Sequence, residues 1–292
     1  MPREAELSNN ERSFILQALQ ENQRIDARPV DQYRKLDIKF GEDYGSVDIA
    51  LGKTQIAVRL SCEVTAPYPE RKFDGIFIIS CEFSPMASPE FEIGRPNLDE
   101  ILLSRILEKA IRRSSALDTE SLCIVAGSKC FALRADIHVL DHDGNLIDAA
   151  CIALMTALQH FRRPDVTVDG DSVTVHDIRE REPVALSLIH HPLCVTFSHY
   201  NEGKTVLVDA TQAEEQVRDG QVIITMNRHG ELCQIAKYGG AAVDAYSIVN
   251  WSNMALPQVQ TLSELIKAAL DDDAKKRDAG GLMAELSAEN ER

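Results

Sequence analysis

The hydrophobic pattern changes its period within one stretch of the chain, residues 118–163. Residues 122–126 and 129–140 alternate between apolar and polar side chains, which predicts a pair of strands. A turn at residues 141–145 follows, and residues 149–161 are then apolar nearly all round. A helix of that kind needs cover on several sides, so we predict that it is the central helix of the fold.

The same patterns divide the rest of the chain. Ser8 and Glu11 have the spacing of a capping box before a short amphipathic helix, and Asn97 is the predicted cap of a second helix. Pro257 is predicted to break the C-terminal helical region. After the N-terminal helix, further helices are predicted at residues 98–114, 245–254 and 262–270. Short apolar runs between glycines and polar turns predict strands at residues 36–40, 47–51, 55–62, 76–83, 166–168, 173–176, 184–188, 193–197, 205–209, 222–227 and 232–237.

Strands followed by helices, twice over, predict an α+β chain with an internal structural repeat, in which each half buries one sheet face under helices. Residues 180–183 are charged and form the predicted hinge between the halves. The predicted segments are an N-terminal helix and linker, a first half, a second half and a charged tail, at residues 1–30, 31–183, 184–271 and 272–292.

The charge balance limits which partners the chain can bind without help. The chain has 31 Lys and Arg against 46 Asp and Glu, a net charge of -15, and 5% aromatic residues. A protein that binds nucleic acid alone is normally basic, so RNA binding here requires a local cationic patch or basic partners. The cysteines form no CxxC pair and the N-terminus is polar, which together indicate buried thiols in an intracellular protein.

One predicted helix carries a candidate cationic patch, the basic face, formed by Arg105, Lys109, Arg112 and Arg113. The first three are spaced i, i+4 and i+7, so their charged ends lie on one side of the helix, with Arg113 at the border. Only Glu108 is near enough in the sequence to pair with them. An ordinary solvated helix face is the alternative. A basic stripe in a strongly acidic chain favours contacts with phosphate groups.

The start of the central helix is where an anion would bind, because a helix N-terminus presents free amide donors and the positive end of a dipole. The chain places Leu146, Ile147 and Asp148 there, two side chains that cannot bind phosphate and one that repels it. The preceding turn, residues 141–144, resembles a set of metal ligands together with His138, but the closing glutamate of a calcium loop is absent. We therefore predict neither a metal nor a cofactor.

An acidic run follows a predicted strand, at Asp209, Glu214, Glu215 and Asp219. Carboxylates at a strand end and one helical turn later can hold Mg²⁺ or act as a general acid for a leaving 3′-hydroxyl. The alternative is a capped, solvated helix start, where Asp and Glu are favoured without a catalytic role. On the residues alone we favour the capped helix start, because a phosphodiester reaction also needs cationic or amide groups.

Several longer strings of residues resemble a known family. They are residues 118–127, Arg134-Ala135-Asp136, residues 142–150 and residues 160–165. Together these strings closely resemble the RNase PH-like ring subunits of the RNA exosome, and the similarity runs from about residue 8 to residue 270. The resemblance implies the RNase PH fold (ribosomal protein S5 domain 2-like). It also implies a place in a hexameric ring that single-stranded RNA threads for 3′→5′ processing and decay.

The resemblance also bears on catalysis. Phosphorolytic members of the family carry Asp-Gly-Gly-Thr-Arg at the central turn, where the Thr-Arg pair holds the attacking phosphate. This chain has Leu146-Ile147 at those positions, a loss of donors that should cost several kcal/mol of transition-state stabilisation. We therefore predict a non-catalytic subunit. The alternative is an active phosphate-dependent 3′→5′ exoribonuclease that uses Asp209 and Glu215. Asp209 keeps the first position of the Asp pair of the active members, whereas the chain has a glutamate, Glu215, at the second.

The partners and location are likewise implied by the resemblance. They are RNA, other RNase PH-like ring subunits, S1/KH-type cap subunits and a hydrolytic nuclease, with no membrane, in the nucleus, the nucleolus and the cytoplasm. Arg95 matches a phosphate-loop arginine of the family. The predicted RNA-binding residues are therefore Arg95 and the four residues of the basic face.

Overall fold

The computed structural model describes residues 7–92, 94, 97–169, 172–177, 180–201, 203–240 and 242–278. The helices are α1 (Asn9–Gln20), α2 (Leu98–Leu107), α3 (Leu146–His160), α4 (Gln212–Val217) and α5 (Ala245–Asp278). The strands are β1 (Leu36–Phe40), β2 (Ser46–Leu51), β3 (Thr54–Thr65), β4 (Ile76–Phe83), β5 (Cys123–Val125), β6 (Lys129–Asp141), β7 (Arg162–Arg163), β8 (Val166–Asp169), β9 (Ser172–Val175), β10 (Val184–Ala185), β11 (Leu193–Tyr200), β12 (Thr205–Val208), β13 (Gly220–Met226) and β14 (Leu232–Gly239).

Two larger sheets, one from each half of the chain, enclose α3. The first has the order β1-β2-β3-β6-β4 and is antiparallel except for the pair β4 and β6, while β5 forms a hairpin with β6. The second has the order β12-β11-β13-β14 and is antiparallel throughout. The helix α3 packs on β2 and β3 from one side and on β11 from the other. Residues 148–158 are all buried, which confirms the predicted central helix.

The N-terminal helix packs on the second half rather than standing apart from it. Ser8 and Glu11 form the predicted capping box at the start of α1. Ile15 and Leu19 are buried in a small core together with Tyr200 and other apolar residues of the second half. The helix of the predicted N-terminal segment therefore packs on the second half, although the first half follows it directly in the sequence.

The predicted break at Pro257 is wrong, because α5 continues without interruption through this residue to Asp278, past the predicted domain boundary at residue 271. A proline inside a helix costs about 3 kcal/mol. The cost is offset by a buried apolar stripe that crosses Pro257, formed by Trp251, Ala255, Val259, Leu262 and Ile266. No helix in the described part of the chain has the length and apolar character needed to cross a membrane.

One strand prediction in the second half is also wrong. The sequence pattern predicts one strand at residues 184–188, but β10 contains only Val184 and Ala185, which pair with β7. Leu188 instead forms an isolated bridge with Leu117. This segment therefore joins the two halves through short pairings and does not extend either large sheet.

Candidate functional site at the start of the central helix

The turn that leads into α3 has a backbone conformation that its residues favour. Gly144 has a φ of 83° and Asn145 has φ 54° and ψ 44°, the left-handed region that glycine and asparagine tolerate best. A Cβ atom on Gly144 would lie 2.6 Å from backbone atoms of residues 210–212. The turn is therefore pressed against the loop that precedes α4, and this contact brings the starts of α3 and α4 together.

One backbone N–H group at the turn already donates to a carboxylate of the chain itself. Glu215, on α4, accepts from the backbone N–H of Asn145 at 3.3 Å. The same Oε1 atom accepts from Nη1 of Arg218 at 2.8 Å, and in this ion pair the guanidinium group balances the charge of the carboxylate. An incoming phosphate would meet a carboxylate at this amide instead of a free donor.

The space beside this ion pair is a small cavity of about 150 Å³. Leu146 and Ile147 line it from the start of α3, as the sequence predicts for this turn. Phe83 and Phe91 line it from the first half, and their ring centroids are 4.8 Å apart. Two carboxylates, Asp99 and Glu215, also line the cavity, and its arginine, Arg218, is paired with Glu215, so the cavity does not suit inorganic phosphate.

Asp148 does not face an incoming anion, contrary to our expectation. Its carboxylate is buried and turned toward β11, where it accepts from the backbone N–H of Thr196 at 3.0 Å and from its hydroxyl at 2.7 Å. The hydroxyl of Tyr33 and the amide of Asn145 also donate to it, at 2.8 and 3.0 Å. Burial raises the pKa of Asp148 to about 6, although these four donors favour the charged form. Asp148 thus joins α3 to the second sheet.

Asp209 lies in a second buried network. Arg34 donates to its carboxylate from the backbone N–H, from Nε and from Nη2, at 2.7, 3.0 and 2.8 Å. Arg28 and Asn145 each donate once more, at 2.9 and 2.8 Å. Burial by itself raises the pKa of Asp209, but the hydrogen bonds from Arg34 outweigh burial and hold the pKa below its ordinary value. With these donors in place, Asp209 is poorly suited to bind a metal or transfer a proton.

The acidic run forms the capped helix start that we favoured, at α4, but this start is not solvated, because Asp209 and Glu214 are buried. Glu214 accepts from the backbone N–H of Thr211 at 2.8 Å. Nε and Nη2 of Arg24 also donate to the Glu214 carboxylate, at 3.0 and 2.6 Å, and both side chains are buried. Glu214 therefore holds Arg24, and with it the N-terminal segment, against the second half.

The sequence did not reveal the structural roles of Arg24, Arg34 and Asn145. Asn145 connects three carboxylates, because its backbone N–H donates to Glu215 and its side-chain amide donates to Asp148 and Asp209. The Gly-Asn pair before an apolar helix does signal a left-handed turn. It does not signal which carboxylates the asparagine will meet.

The basic face is exposed to solvent, which both the RNA-binding interpretation and its alternative, an ordinary solvated face, require. Arg105 and Arg112 both pair with Glu108, and their side chains remain 62% and 48% exposed. Exposed ion pairs contribute at most about 1 kcal/mol, so both guanidinium groups remain available to phosphates. Among the described residues, no carboxylate lies within ion-pair distance of Lys109 or Arg113. The helix changes here from α2 to a π-helical turn, Glu108–Arg112, and π turns are frequent at functional sites.

Arg95, the fifth predicted RNA-binding residue, lies outside the described residues. Its contribution to RNA binding stays a prediction. The four residues of the basic face also stay predictions in this respect, since their exposure permits contact with RNA without demonstrating it.

Known proteins are similar to this chain over nearly its whole length. Residues 32–164 match the 3′ exoribonuclease family, domain 1, and residues 190–256 match domain 2 of the same family. Exosome complex component rrp45 of Schizosaccharomyces pombe is 48% identical over 292 residues, which cover 100% of both chains. Exosome complex component RRP45 of Homo sapiens is 45% identical over 279 residues, which cover 96% of this chain and 64% of the human protein.

The fold comparison agrees with these relatives. A chain of the Archaeoglobus fulgidus exosome with RNA bound to the active site has a TM-score of 0.77 and 30% identity, covering 88% of this chain and 97% of that chain. The RNase PH fold predicted from the sequence is therefore confirmed. Within the ring subunits, residues 10–12, 24–28 and 208–220 most resemble the polymyositis–scleroderma autoantigen subunit, and the relatives named RRP45 confirm this resemblance. The chain belongs to the 3′ exoribonuclease family with the RNase PH fold, in its branch of exosome complex components.

Proposed function

We propose that this chain is a non-catalytic subunit of the RNase PH-like ring of the exosome, which supports the ring and guides single-stranded RNA through it for 3′→5′ processing and decay. Its relatives are named exosome complex components, and the similar archaeal structure is an exosome with RNA bound to its active site. The observation that carries the proposal is the start of α3, where Glu215 occupies an amide and apolar side chains line the adjoining cavity.

The chemistry of phosphorolysis supports the non-catalytic assignment. A phosphorolytic site must hold a phosphate dianion and stabilise the charge that develops on the scissile phosphate, and loss of one such donor lowers kcat by about 10²–10³. Among the described residues, the cations nearest to the turn already form ion pairs with carboxylates: Arg218 with Glu215 and Arg34 with Asp209. Within the described part of the chain, a phosphate at this turn would therefore lie near the carboxylates of Glu215 and Asp209, whose neighbouring arginines are already paired with them.

The activity test uses the full chain, alone and assembled with RNase PH-like ring subunits. Each sample is incubated with RNA and inorganic phosphate, and release of nucleoside diphosphates is measured. We expect the isolated chain to release none, and Glu215→Gln to leave the release by the assembled ring unchanged. Phosphate-dependent release that disappears in Glu215→Gln would contradict the proposal. Glu215 is the better probe, because a change at Asp209 also disturbs the fold.

The RNA-guiding role rests on the basic face. The variant Arg105→Glu/Lys109→Glu should assemble normally but bind and protect RNA less well. Contacts to single-stranded RNA change the slope of log K against log salt by about 0.7 for each phosphate, so loss of two contacts should reduce the slope by about 1.4. The matched control, Lys35→Glu/Lys39→Glu, makes the same charge change at exposed lysines near β1. Equal RNA protection by both variants would refute the role of the basic face.

The proposal extends to partners and location. The family resemblance supports S1/KH-type cap subunits and a hydrolytic nuclease as further partners, and supports location in the nucleus, nucleolus and cytoplasm. The mass of the complex that the chain forms in its own cells, with identification of the subunits, tests the partners. Fluorescence microscopy of the tagged chain tests the location.

A further inference from the structure

The cavity beside the Glu215–Arg218 ion pair has the features of a small ligand site. Its volume is about 150 Å³, and its walls come from α2, α3, α4 and strands of both sheets. The rings of Phe91 and His142 lie at one side, 6.1 Å apart between centroids. Seven of the thirteen lining residues are apolar and the other six carry polar groups, a mixture that a ligand with both an apolar ring and polar edges can match.

One buried polar atom at the cavity has no hydrogen-bond partner among the described residues. Gln221 lines the cavity from β13 and is 9% exposed. Its Oε1 atom is buried and accepts no hydrogen bond from any described residue. An unpaired buried amide oxygen costs about 1–3 kcal/mol, which a ligand N–H group would remove. The last torsion of a glutamine side chain is broad, so a small rotation turns the amide toward a ligand.

The volume selects the size of the ligand. An apolar protein cavity of about 150 Å³ accommodates benzene, so this cavity has room for one six-membered ring. A fused bicyclic ring is larger than this volume and would extend out of the cavity, which is partly open to solvent. The polar groups select the chemistry of the ring, because the Gln221 oxygen requires a donor that benzene lacks.

We propose that this cavity binds a single pyrimidine base, with its ring between the apolar walls and one N–H group donating to Oε1 of Gln221. Uracil and cytosine both combine a six-membered ring with an N–H donor. The carboxylate of Glu215 lines the same cavity and provides a second acceptor. The inference goes beyond the proposed function, because it requires neither ring assembly nor the basic face.

Other occupants fit the observations less well. Inorganic phosphate is disfavoured by the apolar walls and by Glu215. A phenylalanine side chain from a partner would leave the Gln221 oxygen unpaired, and an indole exceeds the size of one ring. A pyrimidine can arrive as a free nucleoside or as part of RNA. In the second case the exposed Arg105 and Lys109, on the same helical segment as the cavity residues Leu102 and Ile106, would contact neighbouring phosphates.

The test is a titration of the full chain, with labelled isoleucine and leucine methyl groups, by uridine, cytidine, adenosine and benzene. Ile106 and Ile147 line the cavity and report binding there, whereas the exposed Ile235 serves as a reference. We expect saturable shifts at Ile106 and Ile147 with uridine or cytidine, and weaker binding of adenosine. A short oligouridylate added in parallel distinguishes RNA from free nucleoside as the source of the base.

Two glutamines provide a matched pair of variants. Gln221→Leu removes the amide from the cavity and should weaken uridine binding about five- to ten-fold, the effect of one neutral hydrogen bond. Gln234→Leu removes another amide with unpaired buried atoms, on β14 and outside the cavity lining, and should leave binding unchanged. Leu102→Phe, which fills the cavity from α2, should abolish binding. The methyl spectra show whether each variant is folded.

Three results would overturn the inference. The first is the absence of shifts at Ile106 and Ile147 with either pyrimidine nucleoside. The second is binding of benzene alone, which would make the cavity an apolar void. The third is equal uridine affinity in the Gln221→Leu and Gln234→Leu variants. Each result is independent of the phosphorolysis and RNA-protection assays, so the inference and the proposed function can fail separately.

Discussion

The Asp209→Asn substitution removes one negative charge from the centre of a buried network. The Asp209 side chain is 0% exposed, and its partners Arg34 and Arg28 are 7% and 15% exposed. The asparagine keeps one acceptor oxygen, but its NH₂ group faces donors of the two arginines. The substitution therefore removes the carboxylate that the two guanidinium groups share, while Arg28 keeps its ion pair with Asp26 and Arg34 keeps a longer one with Asp143.

The expected loss of stability follows from this geometry. Removing one partner of a buried ion pair costs about 3–5 kcal/mol. Arg34 retains hydrogen bonds to the carbonyl groups of Asp143 and Gly144, at 2.7 and 3.1 Å, so we expect the lower end of the range. A loss of about 3 kcal/mol is a large part of the 5–15 kcal/mol that typically stabilises a folded domain.

Urea unfolding of the full chain measures this loss. The matched control is Asp37→Asn, which breaks an exposed pair with Lys35 and should cost at most about 1 kcal/mol. Because the pKa of Asp209 is lowered by folding, its stabilisation is present above the pKa of the unfolded chain and declines as the pH falls through the folded value. The difference between wild type and Asp209→Asn should therefore shrink below about pH 4. A loss no larger than that of Asp37→Asn at pH 7 would refute the structural role of Asp209.

Three further substitutions test other parts of the structure by urea unfolding. Folding raises the pKa of Asp148 to about 6. When the pH falls from 7 to 5, the free energy of unfolding of the wild type should therefore rise by about 1.4 kcal/mol relative to that of Asp148→Asn, and a constant difference would contradict this. Burial, aided by Arg277, lowers the pKa of His160 to about 4. Over the same fall in pH, the free energy of unfolding of the wild type should therefore decrease by about 2 kcal/mol relative to that of His160→Gln. An unchanged difference would show that the imidazole is not held neutral. Pro257→Ala restores a helical N–H at an exposed position of α5 and should stabilise the chain by about 1–3 kcal/mol, whereas destabilisation would show that packing of α5 requires the proline.

Much of the fold was predictable because its causes are local. The alternating pattern of residues 129–140 corresponds to β6, and the apolar run of residues 149–161 corresponds to α3. Likewise, the family strings lie in contiguous segments. Local patterns failed at Pro257, because a helix-breaking residue of known cost was outweighed by apolar contacts on both sides of it.

By itself the sequence determined the family, the two-half organisation and the absence of phosphate-binding side chains at the start of α3. The tertiary structure alone decided the direction of each carboxylate: Asp148 toward β11, Asp209 toward Arg34 and Glu215 onto the amide of Asn145. The physical reason is that each of these partners is more than one supersecondary unit away in the chain. Which donors a carboxylate meets is fixed only when α3 is packed between the two sheets, and no local pattern encodes that choice.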